Sequence, residues 1–226
     1  MVIAYTSSRI NDNLYPTKHN FSGARASFSD IQFLYRRLKT LSARGNGINI
    51  PRCEIVAPHG FPANPRPEGA PQVFLDAMEV RIKVFCEEQN CALEPELDED
   101  DLRSWHWVAY QDGQPVSVIR IVPPPHGPHP NGFHDPSEEP YVKLGRVATM
   151  KNARGKGLSR MLTDAAFRYH AAHKEEIDPG WNGLVLCHAQ VDVEKMYSKL
   201  GFVTDPRLGR WDEEGIEHLG MWKRLS

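Results

Sequence analysis

Residues 147–162 read VATMKNARGKGLSRML, and this stretch decides the fold. Val147-Ala148-Thr149 has strand character, a short glycine-containing loop follows, and Leu158, Met161 and Leu162 open an amphipathic helix. Such a turn aims several backbone N–H groups and the positive end of the helix dipole at one spot. Gly155 and Gly157 let the backbone approach a bulky anion with no Cβ in the way. Arg154, Lys156 and Arg160 add charge of matching sign. The implied ligand is a phosphate or pyrophosphate, against the alternative of a plain tight strand-to-helix turn. Neither G-x-x-x-x-G-K-[ST] nor a G-x-G-x-x-G after a strand is present.

Upstream of this turn, WHWVAY (105–110) and SVIRIV (117–122) flank Asp112-Gly113, a hairpin signal. Residues 123–139, PPPHGPHPNGFHDPSEE, carry too many prolines for strand or helix. They read as a loop before the strand 141–149. A short strand is expected at 52–57, a proline-rich loop to Pro71, and a helix over 72–90 with Val73, Ala77, Val80, Val84 and Phe85 on one face. The acidic run 94–101 reads as a solvated stretch, or as a place where Asp98 and Asp101 draw in a cation. Downstream, GLVLCHA (183–189) is a buried strand. Asp192 is the expected cap of a helix turning Val193, Met196, Tyr197 and Leu200 inward up to Gly201. Residues 202–203 and 218–225 close the sheet. No internal repeat is present.

Residues 1–48 stand apart. Polar, irregular sequence fills 1–28, and Ile31, Leu34, Tyr35, Leu38 and Leu41 recur at helical spacing. The expected organisation is an N-terminal extension, 1–48, with one short amphipathic helix, then one domain over 49–226. The apolar face of that helix needs a partner, either the main domain or a second copy of the chain in a homodimer.

The 226 residues carry 27 Lys and Arg against 29 Asp and Glu, with 40% hydrophobic and 25% charged residues. These values describe a soluble globular protein and remove the electrostatic case for nucleic acid or an anionic membrane as partner. No apolar run approaches a membrane span. The N-terminus lacks a basic region followed by an apolar core, so the expected compartment is the cytoplasm. The four cysteines show no C-x-x-C or zinc-ligand spacing and read as reduced, packed thiols. His126, His129 and His134 sit in a loop without a completing acid or Cys set, so no metal is expected.

Arg154-Gly-Lys-Gly157-Leu-Ser159 resembles the acetyl-CoA signature [QR]-x-x-G-x-[GA] of the GNAT acetyltransferase superfamily, departing only at Ser159. Gln190-x6-Tyr197-x3-Gly201-Phe202 resembles that superfamily's second motif, with Gln190 in place of Asn and Val193 in place of Ala. Arg81, Val84-Phe85, Glu88-Gln89, Asp98, Asp101, Asp212-Glu213, Gly215-Ile216, His218 and Met221 resemble the ElaA-like branch. The resemblance spans about 72–224.

The resemblance implies an α/β (α+β) fold with a mixed, mostly antiparallel sheet that splays near its middle and is flanked by helices. It implies acetyl-CoA as cosubstrate, with no metal. Pantetheine would pair with Val147, Ala148 and Thr149, and Gln190 would contact it from across the splay. The pyrophosphate would lie on Arg154, Gly155, Lys156, Gly157, Leu158 and Ser159. Tyr197 would be the general acid, although periodicity alone makes it a core aromatic. Glu88, Arg146 and His218 are the substrate-side candidates; by position alone Glu88 is a solvated carboxylate ending a helix. The two proline-rich loops would flank the acceptor side. The expected activity is N-acetylation of a primary amine on a small-molecule acceptor (amino sugar, polyamine or amino acid). The alternatives are a protein lysine or N-terminal acetyltransferase, or a non-catalytic CoA-binding regulatory protein. His106 and Cys187 read as packing, His170 and His173 as surface residues.

Overall fold

Two central strands of nearly continuous apolar sequence set the architecture. In the computed structural model, which describes residues 2–6, 51–64 and 68–225, β3 (Trp105–Gln111) and β4 (Gln114–Val122) are buried over almost their whole length. Strands covered on both faces read this way. Asp112 and Gly113 both have positive φ, 53° and 79°, the conformation of a two-residue hairpin whose twist matches its strands.

Around this hairpin lies a sheet that has nine strands among the described residues. β1 (Val2–Thr6) pairs with β2 (Arg52–Val56), β2 with β3, β4 with β5 (Val142–Thr149), and β5 with β6 (Leu184–Gln190). β6 pairs with β9 (Ile216–Arg224), which also takes β7 (Val203–Thr204) and β8 (Arg210–Glu213). Among the described residues every pairing is antiparallel except β5–β6. The first helix, α1 (Gln72–Arg81), widens into π-helical turns over Ile82–Glu88. It packs Phe74, Ala77 and Met78 against Val56, Val108 and Val118. After α2 (Leu93–Glu96), α3 (Leu158–Ala172) covers the other face with Leu158, Leu162 and Ala166 on Trp107, Ile119, Ile121 and Leu144. A short helix, α4 (Glu194–Lys199), follows β6.

Several expectations change. Residues 2–6, expected to be irregular, form an edge strand on β2. The expected helix at 31–41 lies outside the described residues. β8 was not anticipated; it turns into β9 through Glu214 and Gly215, with φ 54° and 81°. Asp192 caps no helix: residues 191–193 form a 3-10 turn and Val193 is exposed rather than inward. His170, expected at the surface, is 1% exposed, its ring edge-on to Trp105 at 4.9 Å. The acidic run is solvated only in part, at Glu94 and Glu99. Glu96 and Asp101 are buried because three arginines from α1, β4 and β5 converge on them. The Pro-rich segment is irregular as expected, but tied down: His126 meets the Tyr141 carbonyl at 2.9 Å, and Asn131 donates to that of Leu208 at 2.9 Å.

Candidate active site

β5 and β6 pair only from Val142 to Leu144. Beyond Leu144 they part, β5 staying with β4 as far as Thr149 and β6 with β9 as far as Gln190. One edge of β5 therefore has no strand partner over residues 145–149. A bulge sharpens the parting: Arg120 pairs with Gly145 and Val118 with Ala148, so Arg146 and Val147 together oppose Ile119. Arg146 takes φ 50°, an uncommon and strained conformation for a side-chain-bearing residue.

The parting opens a cavity of about 550 Å³. Arg146, Val147, Ala148, Thr149, Arg154 and Ser159 line its β5 side, and Gln190, Tyr197 and His218 its far side. Nine of the fourteen residues singled out from sequence are thus brought to one cleft. Thr149 Oγ1 lies 2.7 Å from Ser117 Oγ and 3.0 Å from Ser159 Oγ, which fastens the strand end to the first turn of α3. Gln190 Nε2 donates to Gln89 Oε1 at 3.2 Å, spanning from β6 to the end of the first helix.

The turn itself is preorganised. Gly157 is the N-cap of α3 in the left-handed region, φ 75°, and Gly155 shares that φ. A Cβ at either would meet no atom within 4 Å, so the space in front of the loop is open. The N–H groups of the first turn of α3 have no intrahelical acceptor. A pyrophosphate-sized anion fits these features. Leu158 contributes only its backbone here, since its side chain is in the core. Lys156 reaches Gln111 Oε1 at 3.0 Å.

Tyr197 is 5% exposed, and burial pushes its phenol well above the usual range. At neutral pH the phenol keeps its proton. Glu88 does not line the cleft. Its two carboxylate oxygens accept from Arg154 Nη1 and Nη2, each at 2.7 Å, and this pairing lowers its pKa. His218 Nδ1 sits 2.8 Å from the Ile216 carbonyl.

Beneath the cleft, on the side of Arg146, lies an ion network that sequence alone did not reveal. Arg81 Nε reaches Glu96 at 2.6 Å and Nη1 reaches Asp101 at 2.6 Å. Arg120 holds Asp98 at 2.5 Å and Asp101 at 2.7 Å, and Arg146 holds Glu96 and Asp98, each at 2.9 Å. Burial alone would raise the Asp101 carboxyl, but Arg81 and Arg120 outweigh it and hold it below the usual range. Asp101 is fully enclosed, whereas Asp98 lines the cleft. Lys143, His188 and Arg120 also line the cleft and had no motif to reveal them. Neither proline-rich loop supplies a lining residue among the described residues. No helix among the described residues is long and apolar enough to cross a membrane.

Comparison with known proteins agrees with this architecture. The family model described as "Acetyltransferase (GNAT) domain" matches residues 103–204. The Bacillus subtilis (strain 168) protein named "Uncharacterized N-acetyltransferase YjcF" is 30% identical over 149 residues, covering 66% of this chain and 90% of that protein. "UPF0039 protein Rv2851c" of Mycobacterium tuberculosis is 30% identical over 149 residues, 65% of this chain and 81% of that protein. Among solved structures, an acyl-CoA N-acyltransferase from Pseudomonas aeruginosa superposes with TM-score 0.51 at 28% identity, over 69% of this chain and 93% of that one. Escherichia coli ElaA shares the fold at TM-score 0.52 and 22% identity, over 70% and 93% of the two chains. The chain belongs to the GNAT acetyltransferase family.

Proposed function

We propose that the chain transfers the acetyl group of acetyl-CoA to a primary amine of a small molecule, both held in the cleft where β5 leaves β6. The observation that carries this reading is the unpartnered edge of β5 from Gly145 to Thr149, facing Gln190, with Tyr197 buried in the wall between.

In this reading the backbone of Val147, Ala148 and Thr149 pairs with the amides of pantetheine as a neighbouring strand would. Gln190 reaches the same chain from β6. Arg154, Gly155, Lys156, Gly157, Leu158 and Ser159 hold the pyrophosphate through the turn's N–H groups, the α3 dipole and two cations. Bound there, acetyl-CoA supplies an activated thioester whose C–S bond breaks as the amine nitrogen bonds to the acetyl carbon. The nitrogen gives up one proton to solvent water, and the sulfur takes one from Tyr197, which regains it from solvent. An alkyl amine is neutral in only roughly one molecule in a few thousand at pH 7. Holding the two reactants together offsets much of that handicap. Arg146 and His218 stand at the acceptor end, while Glu88 acts on Arg154 at the rim.

The test is release of free CoA thiol from acetyl-CoA with a panel of amino acids, amino sugars and polyamines, beside the melting temperature with and without acetyl-CoA. Thiol release that depends on one class of amine supports the reading. A melting temperature unmoved by acetyl-CoA overturns it, and binding without turnover of any amine overturns its catalytic part.

A further inference from the structure

Arg120 on β4 and Gly145 on β5 face one another, and His188 on β6 follows just beyond the point where β6 leaves β5. Arg120 is the register partner of Gly145. Lys143 pairs with Leu186, and two residues further along each strand come Gly145 and His188. A Cβ at Gly145 would meet no atom within 4 Å, so the sheet carries a notch there. On either side of it, Arg120 Nε and His188 Nε2 are buried without a hydrogen-bond partner. Arg120 is only 4% exposed, so the missing bond is not simply made to bulk water.

Lys143, one step away on the same face, lines the same cleft. Among the described residues it has no hydrogen-bond or ion-pair partner. Asp100 and Glu213 are close enough to act on its charge. Asp100, however, is held by Arg103 at 2.7 Å, and Glu213 accepts from Trp211 Nε1 at 2.6 Å. The other cleft cations are all matched: Arg120 and Arg146 by the acids beneath them, Arg154 by Glu88. Burial pushes the Lys143 ammonium pKa down, as expected for a cation short of a counter-charge.

A buried polar nitrogen without a partner forfeits a hydrogen bond it had in water, and an ammonium forfeits more. One carboxylate, with two oxygens and about four lone-pair sites, can serve all three groups. A wholly cationic acceptor would instead meet Lys143 as a like charge.

We propose that the acceptor amine also carries a carboxylate, which sits over Gly145 and is held by Lys143, Arg120 and His188. This rests on the acetyl-transfer reading and narrows its acceptor to amino-acid-like zwitterions, excluding polyamines.

Initial rates of CoA release are measured at saturating acetyl-CoA with glutamate, methionine and phenylalanine, with the methyl ester of each, and with spermidine. At least one acid is expected to show kcat/KM tenfold or more above its own ester and above spermidine. Lys143→Met raises KM for that acid at least tenfold and erases the preference over the ester, and Lys143→Arg restores it. Gly145→Ala, at a backbone position outside the left-handed region, fills the notch and gives the same loss. Equal use of acids and esters, or preference for spermidine, overturns the proposal. So does a protein whose melting temperature rises with acetyl-CoA yet acetylates none of the acids. A Lys143→Met enzyme that loses kcat for every amine, along with one limb of its pH profile, would make Lys143 a base and also overturn it. Absence of any acetyl-CoA shift in melting temperature is a failure of the acetyl-transfer reading itself, and the proposal falls with it.

Discussion

Glu88 grips Arg154 through both carboxylate oxygens, each at 2.7 Å, so the end of the first helix is clasped to the turn that opens α3. Arg154 also donates from Nε to the Thr149 carbonyl at 2.9 Å. The guanidinium is thereby aimed, yet its charge is spoken for until a stronger anion arrives. A pyrophosphate would compete with Glu88 for the same planar fork.

Opposite effects are therefore expected at the two ends of the clasp. Arg154→Ala raises KM for acetyl-CoA by roughly tenfold. Glu88→Gln frees the guanidinium and lowers that KM by roughly threefold, an effect that fades as salt screens the exposed pair. Steady-state kinetics in acetyl-CoA at low and high salt check both. A raised KM in Glu88→Gln would mean that the carboxylate positions Arg154 more than it competes for it.

Tyr197→Phe removes a hydroxyl that makes no side-chain hydrogen bond among the described residues and leaves the ring packed on Phe202, 5.8 Å between centroids. Turnover should fall by roughly a hundredfold, as for loss of a general acid, while KM for acetyl-CoA and the melting temperature stay close to wild type. An enzyme with full kcat at pH 7 would remove Tyr197 from the chemistry.

The ion network beneath the cleft predicts a stability effect. Asp101→Asn leaves Arg81 and Arg120 short of a buried counter-charge and should cost about 3–5 kcal/mol, read from urea unfolding. The Asp101 carboxyl is held below its unfolded value, so its contribution is present above about pH 4 and is lost as pH falls further. Wild type and Asp101→Asn should therefore converge in acid. Equal stability at pH 7 would contradict the assignment.

What could be read from sequence, and what could not, divides along a physical line. The hairpin at Asp112-Gly113, the stop at Gly201 and the turn at 155–157 are local: residue type and spacing determine them. The same holds for the stripe Leu158, Leu162 and Ala165 on α3. Tyr197, Gln190 and Arg154 were found because a motif keeps them at fixed spacing. The burial of Glu96 and Asp101 depends on arginines 15 to 50 positions away in the chain, and a one-dimensional acidic run says nothing of them. Lys143, Gly145 and His188 matter only because β5 and β6 lie side by side as far as Leu144 and then part. The turn at Glu214-Gly215 has a weak sequence signal, because its strand β8 is only four residues long and largely exposed. His170 was misplaced for a related reason: its neighbour His173 suggested a polar face, whereas Trp105 and Tyr169 enclose it.

That enclosure makes the fold acid-sensitive well above the carboxylate range. His170 has no partner for either ring nitrogen, and burial pushes its pKa down to about 3. His106, His126 and His188 are likewise lowered, to about 3, 4 and 2. An unfolded chain protonates its histidines near pH 6.5. Between that pH and the folded values the unfolded state binds more protons, so stability rises with pH and is lost on acidification. Each such histidine removes up to about 1.4 kcal/mol per pH unit below 6.5. The melting temperature should accordingly hold steady from pH 8 to 7 and fall steeply from pH 6 to 5. His170→Phe, which keeps an aromatic ring against Trp105, should lessen that fall by about one proton's share. Thermal melts of both proteins across this range decide the matter: parallel curves would show that His170 is already protonated, or water-exposed, in the folded state.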